Sequence, residues 1–204
     1  MFKALLSPTR ALPANTRIVF LAINKTGSTS IWTWMDENRV DYAMNRYQED
    51  EARKLRLIEE VKASGIPCFT VVRNPWSRAV SSWKWCTLKK GLPQSSFDDF
   101  LRIPFEAMTP QQRYHTSPQW QHIADENGDI RYLDHIGRME AIDDTRRWIA
   151  NTLNIDAGQE LPHLKKTDHE QYTQYYTPPT QQLVAEIFQK DIELFAYRFG
   201  DFSP

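Results

Sequence analysis

Residues 17–32 read RIVFLAINKTGSTSIW, and the order of residue types within them decides the fold class. Arg17 to Ile23 is a short apolar run rich in β-branched residues and bounded by polar ones, the pattern of a buried strand. A tight loop, Asn24 to Gly27, comes next, and Ser28 or Thr29 is expected to cap a helix reaching about Val40. Glycine lets the backbone approach an anion closely, and the amides at a helix start point towards it. The hydroxyls of Thr26, Ser28, Thr29 and Ser30 add donors, and Lys25 adds a positive charge. A Walker A loop carries its lysine after the second glycine; here Lys25 precedes Gly27. On this stretch alone, an anion-binding loop and a hydroxyl-rich helix cap both remain open.

The same unit recurs. Gly65 ends a charged helix over about residues 48–64, whose apolar residues Leu55, Ile58 and Val61 are spaced for one face. Pro67 then opens a strand, Cys68 to Val72. Asn74-Pro75 begins another helix to about residue 88, since proline suits the first helical turn. Arg73 stands at the strand end, with Arg78 and Ser81 in the helix. An arginine and a serine on that side can hold a phosphate, the arginine through a two-pronged contact. In an open parallel sheet ligands bind beyond the carboxyl ends of the strands, so two such loops suggest a ligand with two separated anionic groups.

Elsewhere the signals are plainer. The 204 residues favour one domain, 1–204, with a core of about residues 17–199, in an α/β architecture. A net charge of −1 argues against a global nucleic-acid or membrane footprint. Two cysteines imply no disulfide framework, and Cys68 reads as a buried thiol. The five histidines and two cysteines show no close ligand spacing, so no metal is expected. The start, MFKALLSPTRALP, is too short in apolar residues for a signal peptide, and no run is long enough to span a bilayer. A cytoplasmic location is expected. Residues 91–127 read as the least regular part, with one short helix at Phe97–Leu101 and a turn at Asp125–Gly128. A strand is expected at Leu133–Gly137, a helix at Asp143–Leu153, and a last helix beginning at Thr177-Pro178.

Four segments, in order, resemble the sulfotransferase family. IVFLAINKTGSTSI is similar to its 5′-phosphosulfate loop, in the P-K-T-G-[GS]-T-S form of the carbohydrate branch. FTVVRNPWSRAVSSW resembles its R-x-P-x-x-R-x-x-S motif for a 3′-phosphate. LDHIGRMEAIDDT (133–145) resembles D-x-[IV]-G-[RK]-x-E, and residues 161–199 resemble a terminal segment ending in D-x-x-x-F-x-Y. The resemblance implies a P-loop-NTPase-like three-layer sandwich with a central parallel sheet. It also implies the donor 3′-phosphoadenosine 5′-phosphosulfate and transfer to an acceptor hydroxyl or amine, with a carbohydrate hydroxyl favoured by the form of the motif. Asn24 stands where proline is usual, Ser28 where glycine is common, Asn74 where aspartate is frequent and Lys165 where asparagine is frequent.

On that resemblance Lys25 balances charge on the bridging oxygen as it leaves, and Thr26 reaches the sulfuryl oxygens. Ser28, Thr29 and Ser30, with the loop amides around Gly27, hold the 5′-phosphate. Arg73 and Ser81 hold the 3′-phosphate. A general base is still needed; the candidates are His115, in an H-x-x-P-Q context, and Asp36 and Glu37. A structural role for His115 is the alternative. His135 and His163 read as architectural, and Arg138 with Glu140 as a structural ion pair. Lys165 and Lys166 either cover the nucleotide or form a solvated charge pair. Trp76, Trp83 and Trp85 either stack on a ligand ring or pack in the core. The competing functions are a nucleotide-dependent kinase and a donor-binding protein without catalysis.

Overall fold

Ile18–Leu21 (β1) and Cys68–Val72 (β3) are buried at every position, Thr70 being the one polar residue among them, because both of their faces are covered. A computed structural model of the chain describes residues 12, 14–45, 51–89, 96–158 and 171–201. Four strands form one parallel sheet in the order β2-β1-β3-β4, with β2 at Tyr42–Asn45 and β4 at His135–Arg138. Phe20 and Phe69 stack across the central pair, with ring centroids 4.6 Å apart.

The chain leaves β1 towards β2, then returns past β1 to β3 and β4. Right-handed crossovers in opposite directions place their helices on opposite faces. Ser28–Glu37 (α1) therefore packs on one face with Ile142–Leu153 (α7), around Ile31, Met35, Ile149 and Phe20. Glu51–Ser64 (α2) and Pro75–Lys89 (α3) pack on the other, with Val184 and Phe195. The result is the expected three-layer, P-loop-like sandwich. The strand order reverses between β1 and β3, the place where open parallel sheets leave a crevice, and the loops after these two strands lie beyond their carboxyl ends.

Several expectations are corrected. Neither Ser28 nor Thr29 caps α1: the cap is Gly27, left-handed at φ 78°, and no side chain caps the helix. That helix ends at Glu37, three residues early. In α2 the buried apolar residues are Leu57, Ile58 and Val61, whereas Leu55 is only half-buried. Besides Phe97–Leu101 (α4), the middle region holds Pro110–Thr116 (α5) and Gln119–Ile123 (α6). The start of α5 has a capping box, Thr109 with Gln112. The terminal helix is two, Pro178–Ile187 (α8) and Gln189–Phe195 (α9), broken at Phe188. His163, Lys165 and Lys166 lie outside the described residues.

Candidate functional site

The first loop turns on two left-handed residues, Lys25 (φ 69°) and Gly27 (φ 78°). For lysine that conformation costs about 1–2 kcal/mol; at Gly27 a Cβ would also lie 2.7 Å from Ile142 Cδ1. The turn delivers the first amides of α1 with no acidic side chain in its first turn and no side-chain cap, an arrangement receptive to an anion. Thr26 is fully buried and its hydroxyl donates to the Ile23 carbonyl at 2.8 Å, so it braces the loop from within. Ser28, Thr29 and Ser30 are half-buried on the first turn of α1.

The second loop is held at almost every polar atom. Gln119 clamps one residue from both sides: its Oε1 accepts from Arg73 N–H at 2.9 Å, and its Nε2 donates to Arg73 C=O at 2.8 Å. Gln119 is itself fixed by Asp191, whose carboxylate accepts the Gln119 and Trp120 amides at the start of α6. Burial pushes the Asp191 carboxyl up, while those amides and Arg78 pull it back. From the other side, Glu140 Oε1 accepts from Asn74 N–H at 2.8 Å and Glu140 Oε2 accepts from the Tyr197 hydroxyl at 3.0 Å. Asn74 Oδ1 accepts from the amides of Trp76 and Ser77, and its Nδ2 donates to Arg198 C=O. An aspartate there could cap the helix but could not make that last donation.

These contacts explain the two remaining motifs. The expected Arg138–Glu140 ion pair does not form: Arg138 donates to Phe195 C=O and lies over the Tyr197 ring, and Glu140 is spent on Asn74 and Tyr197. Asp134 accepts from Cys68 N–H, and Gly137 leaves room for Thr145 against the sheet. Sequence reading missed Gln119 and Asp191, and gave Glu140 the wrong partner. The Pro-Gln pair after His115 and the D-x-x-x-F-x-Y ending were the available signals.

The Arg73 guanidinium joins the two loops. Its Nε donates to Ser77 Oγ at 2.9 Å and its Nη1 to Lys25 C=O at 3.2 Å. Burial lowers its pKa, with Glu140 and Tyr197 opposing, although part of its surface stays exposed. Arg73 lies just before α3, four residues ahead of Ser77, and Ser81 is half-buried one turn beyond Ser77 on the same stripe of the helix. Ser77 was not anticipated; its spacing from Arg73 was the signal.

His115 lies in α5 rather than in an irregular loop. It is 7% exposed, against Trp85 with ring centroids 3.9 Å apart, and its carbonyl accepts from Ser82 Oγ. The next residue, Cys86, is held up at about 11 by burial, and the charge of Lys25 pulls the other way. Lys25 and His115 thus both border the Ser82–Cys86 turn of α3. Asp36 and Glu37 lie at the far end of α1, roughly 12 Å along the axis from Ser28, and Asp36 accepts from the Tyr42 hydroxyl. Trp76 is a core residue, donating to Gln181 C=O and edge-on to Phe199. Trp83 packs on Phe97 and Tyr175. His135 stacks on Trp148 within the fold.

A parallel α/β sandwich whose strand order reverses between β1 and β3, with a loop and a helix start after each of these strands, is a P-loop-like fold. The chain matches the sulfotransferase family over residues 13–198, and it belongs to that family. Among solved structures it is similar to a sulfotransferase from Alicyclobacillus acidocaldarius, 12% identical, with a TM-score of 0.55 over 89% of this chain and 94% of that one. It is also similar to mouse sulfotransferase SULT7A1 complexed with PAP, 12% identical, with a TM-score of 0.57 over 89% and 86% of the two chains. No curated protein matches it. No helix among the described residues is long and apolar enough to cross a membrane.

Proposed function

We propose that this sulfotransferase moves the sulfuryl group of 3′-phosphoadenosine 5′-phosphosulfate to a hydroxyl of a carbohydrate acceptor. The observation that carries the reading is the Arg73–Lys25 hydrogen bond, which sets an arginine suited to a 3′-phosphate beside the loop suited to a 5′-phosphosulfate. The residues fit such a donor: left-handed Gly27, packed too closely against Ile142 for a side chain, makes the turn, and the uncapped start of α1 offers amides to the 5′-phosphate. Ser28, Thr29 and Ser30 surround those amides. Arg73 and Ser81 hold the 3′-phosphate, with Ser77 orienting the arginine. Thr26 contributes through its amide, its hydroxyl being committed to Ile23.

Positioning and charge stabilisation dominate such a transfer. Lys25 neutralises the bridging oxygen as the sulfur–oxygen bond breaks. His115 takes the acceptor proton from its place beside Trp85, and burial there keeps competing water away from it. The acceptor class rests on the likeness of the first loop to the carbohydrate branch. A transfer assay with labelled donor and a panel of sugars, simple alcohols and amines tests all of this. Sulfated sugar, lost in Lys25→Ala and His115→Ala, is the expected result. Tight binding of adenosine 3′,5′-bisphosphate without transfer to any acceptor would make the protein a donor-binding module, and preferred binding of ATP would make it a kinase.

A further inference from the structure

Arg78 has no part in the donor site outlined above, yet it is one of the most deeply buried side chains, 2% exposed. Its Nε donates to Asn24 C=O at 3.1 Å and its Nη1 to Ser117 C=O at 2.8 Å. Nη2 has no hydrogen-bond partner among the described residues. A buried charge with an unsatisfied donor is poor value as a stabiliser, and apolar side chains of similar size commonly do better. Burial lowers its pKa only to about 10, so it stays charged at neutral pH.

What Arg78 grips explains its retention. Asn24 C=O and Lys25 N–H belong to one peptide plane, and Lys25 C=O belongs to the next. The conformation of Lys25 is set by the relative orientation of those two planes, since φ and ψ are its only soft backbone torsions. Arg78 holds the first plane through Asn24, and Arg73 holds the second through Lys25 C=O at 3.2 Å. Between them Lys25 sits at φ 69°, a conformation that a lysine does not adopt unless its surroundings impose it.

We infer that Arg78 is a positioning residue for Lys25: with Arg73 as the second arm, it clasps both peptide planes flanking the lysine and so fixes the direction of its side chain. Through Ser117 the same guanidinium ties that loop to the α5–α6 junction, two residues from His115. The inference rests on Lys25 being the catalytic lysine.

The test is a double-mutant cycle between Arg78→Lys and Lys25→Ala, with donor KM, kcat and the Kd of adenosine 3′,5′-bisphosphate as readouts. Arg78→Lys should lower kcat by about 10- to 100-fold, the scale of a misplaced reacting group. Donor KM and bisphosphate Kd should stay within about threefold. In the Lys25→Ala background Arg78→Lys should cost nothing further. A loss carried by KM and Kd, or one that multiplies the Lys25→Ala loss undiminished, overturns the clasp as a positioning device. Near-wild-type activity of Lys25→Ala instead overturns the reading of Lys25, and the clasp with it. Should Arg78→Lys not fold, Arg78→Met fills much of the same space without a buried charge. It should lower kcat by about 10- to 100-fold with bisphosphate Kd within about threefold, and a wild-type kcat would refute the proposal.

Discussion

The two loops at the crevice follow neighbouring strands and open similar helices, yet they are held in opposite ways. Around Arg73 and Asn74, side chains from distant parts of the chain hold the peptide N–H groups and the Arg73 carbonyl: Gln119 on one side, Glu140 on the other. Around Lys25 and Gly27 the described contacts hold carbonyls, from behind, and the helix start carries no side-chain cap. A loop that anchors a constant phosphate gains from rigidity. A loop that meets a changing charge gains from amides left for the ligand and from one imposed left-handed lysine. On the proposed function the difference separates binding from chemistry, and it is open to test at four strengths.

The largest effect belongs to the first loop. Lys25→Ala should reduce sulfate transfer by about 10³-fold, the upper range for removing one charge-stabilising donor, while bisphosphate affinity changes little. A steady-state assay paired with calorimetry reads both quantities, and a loss confined to affinity would erase the distinction between the loops.

The second loop should answer in stability and affinity together. Gln119→Ala strands the Arg73 N–H and C=O in a buried setting, at a cost of about 1–3 kcal/mol for each group left unpaired. Chemical denaturation should show that loss, and bisphosphate binding should weaken with it. Unchanged binding would mean that the clamp does not govern the Arg73 guanidinium.

Next comes the support behind the second loop. His122, whose Nε2 meets Ser117 Oγ at 2.8 Å, is held down to about 3, first by burial and then by Arg78, Lys54 and His115. Its folded pKa is depressed below the unfolded value near 6.5. Between about pH 6.5 and 3 the unfolded chain therefore binds the extra proton, and stability falls as pH falls. The contribution is on the order of a few kcal/mol at full effect. His122→Gln should flatten the stability loss between pH 7 and pH 5; an unchanged slope would show that His122 titrates normally.

The smallest effect isolates the left-handed lysine. Because Lys25 sits at φ 69°, Lys25→Gly should be more stable than Lys25→Ala by about 1 kcal/mol, opposite to the order in a helix or strand. The reverse order in thermal melts would show that the residue is not held left-handed.

Both loops were legible in the sequence because each is local: strand, turn and helix start lie within a dozen residues and carry their own punctuation. The supports were not, since Gln119, Glu140 and Asp191 act across 46, 66 and 72 residues. Tyr42–Asn45 escaped notice as a strand because it is short, has no β-branched residue and is recognisable only by its pairing with β1. A hydroxyl cap for α1 is the usual reading because side-chain capping is the usual solution; here a left-handed glycine stands at the cap and no side chain takes those amides. Helix α5 had its capping box in plain view, yet its polar, proline-rich setting reads as loop. His115 was placed on that loop and lies instead against Trp85, a contact between α5 and α3 that no local pattern announces.

The most direct test of the two-ended donor site is a calorimetric titration of the wild-type protein with adenosine 3′,5′-bisphosphate and with adenosine 5′-monophosphate. The 3′-phosphate should contribute about 100-fold in affinity, the scale of one or two charge-assisted hydrogen bonds, and Arg73→Ala should abolish that preference. Equal affinities in the wild type, or a preference that survives Arg73→Ala, would contradict the assignment of the second loop and with it the proposed donor.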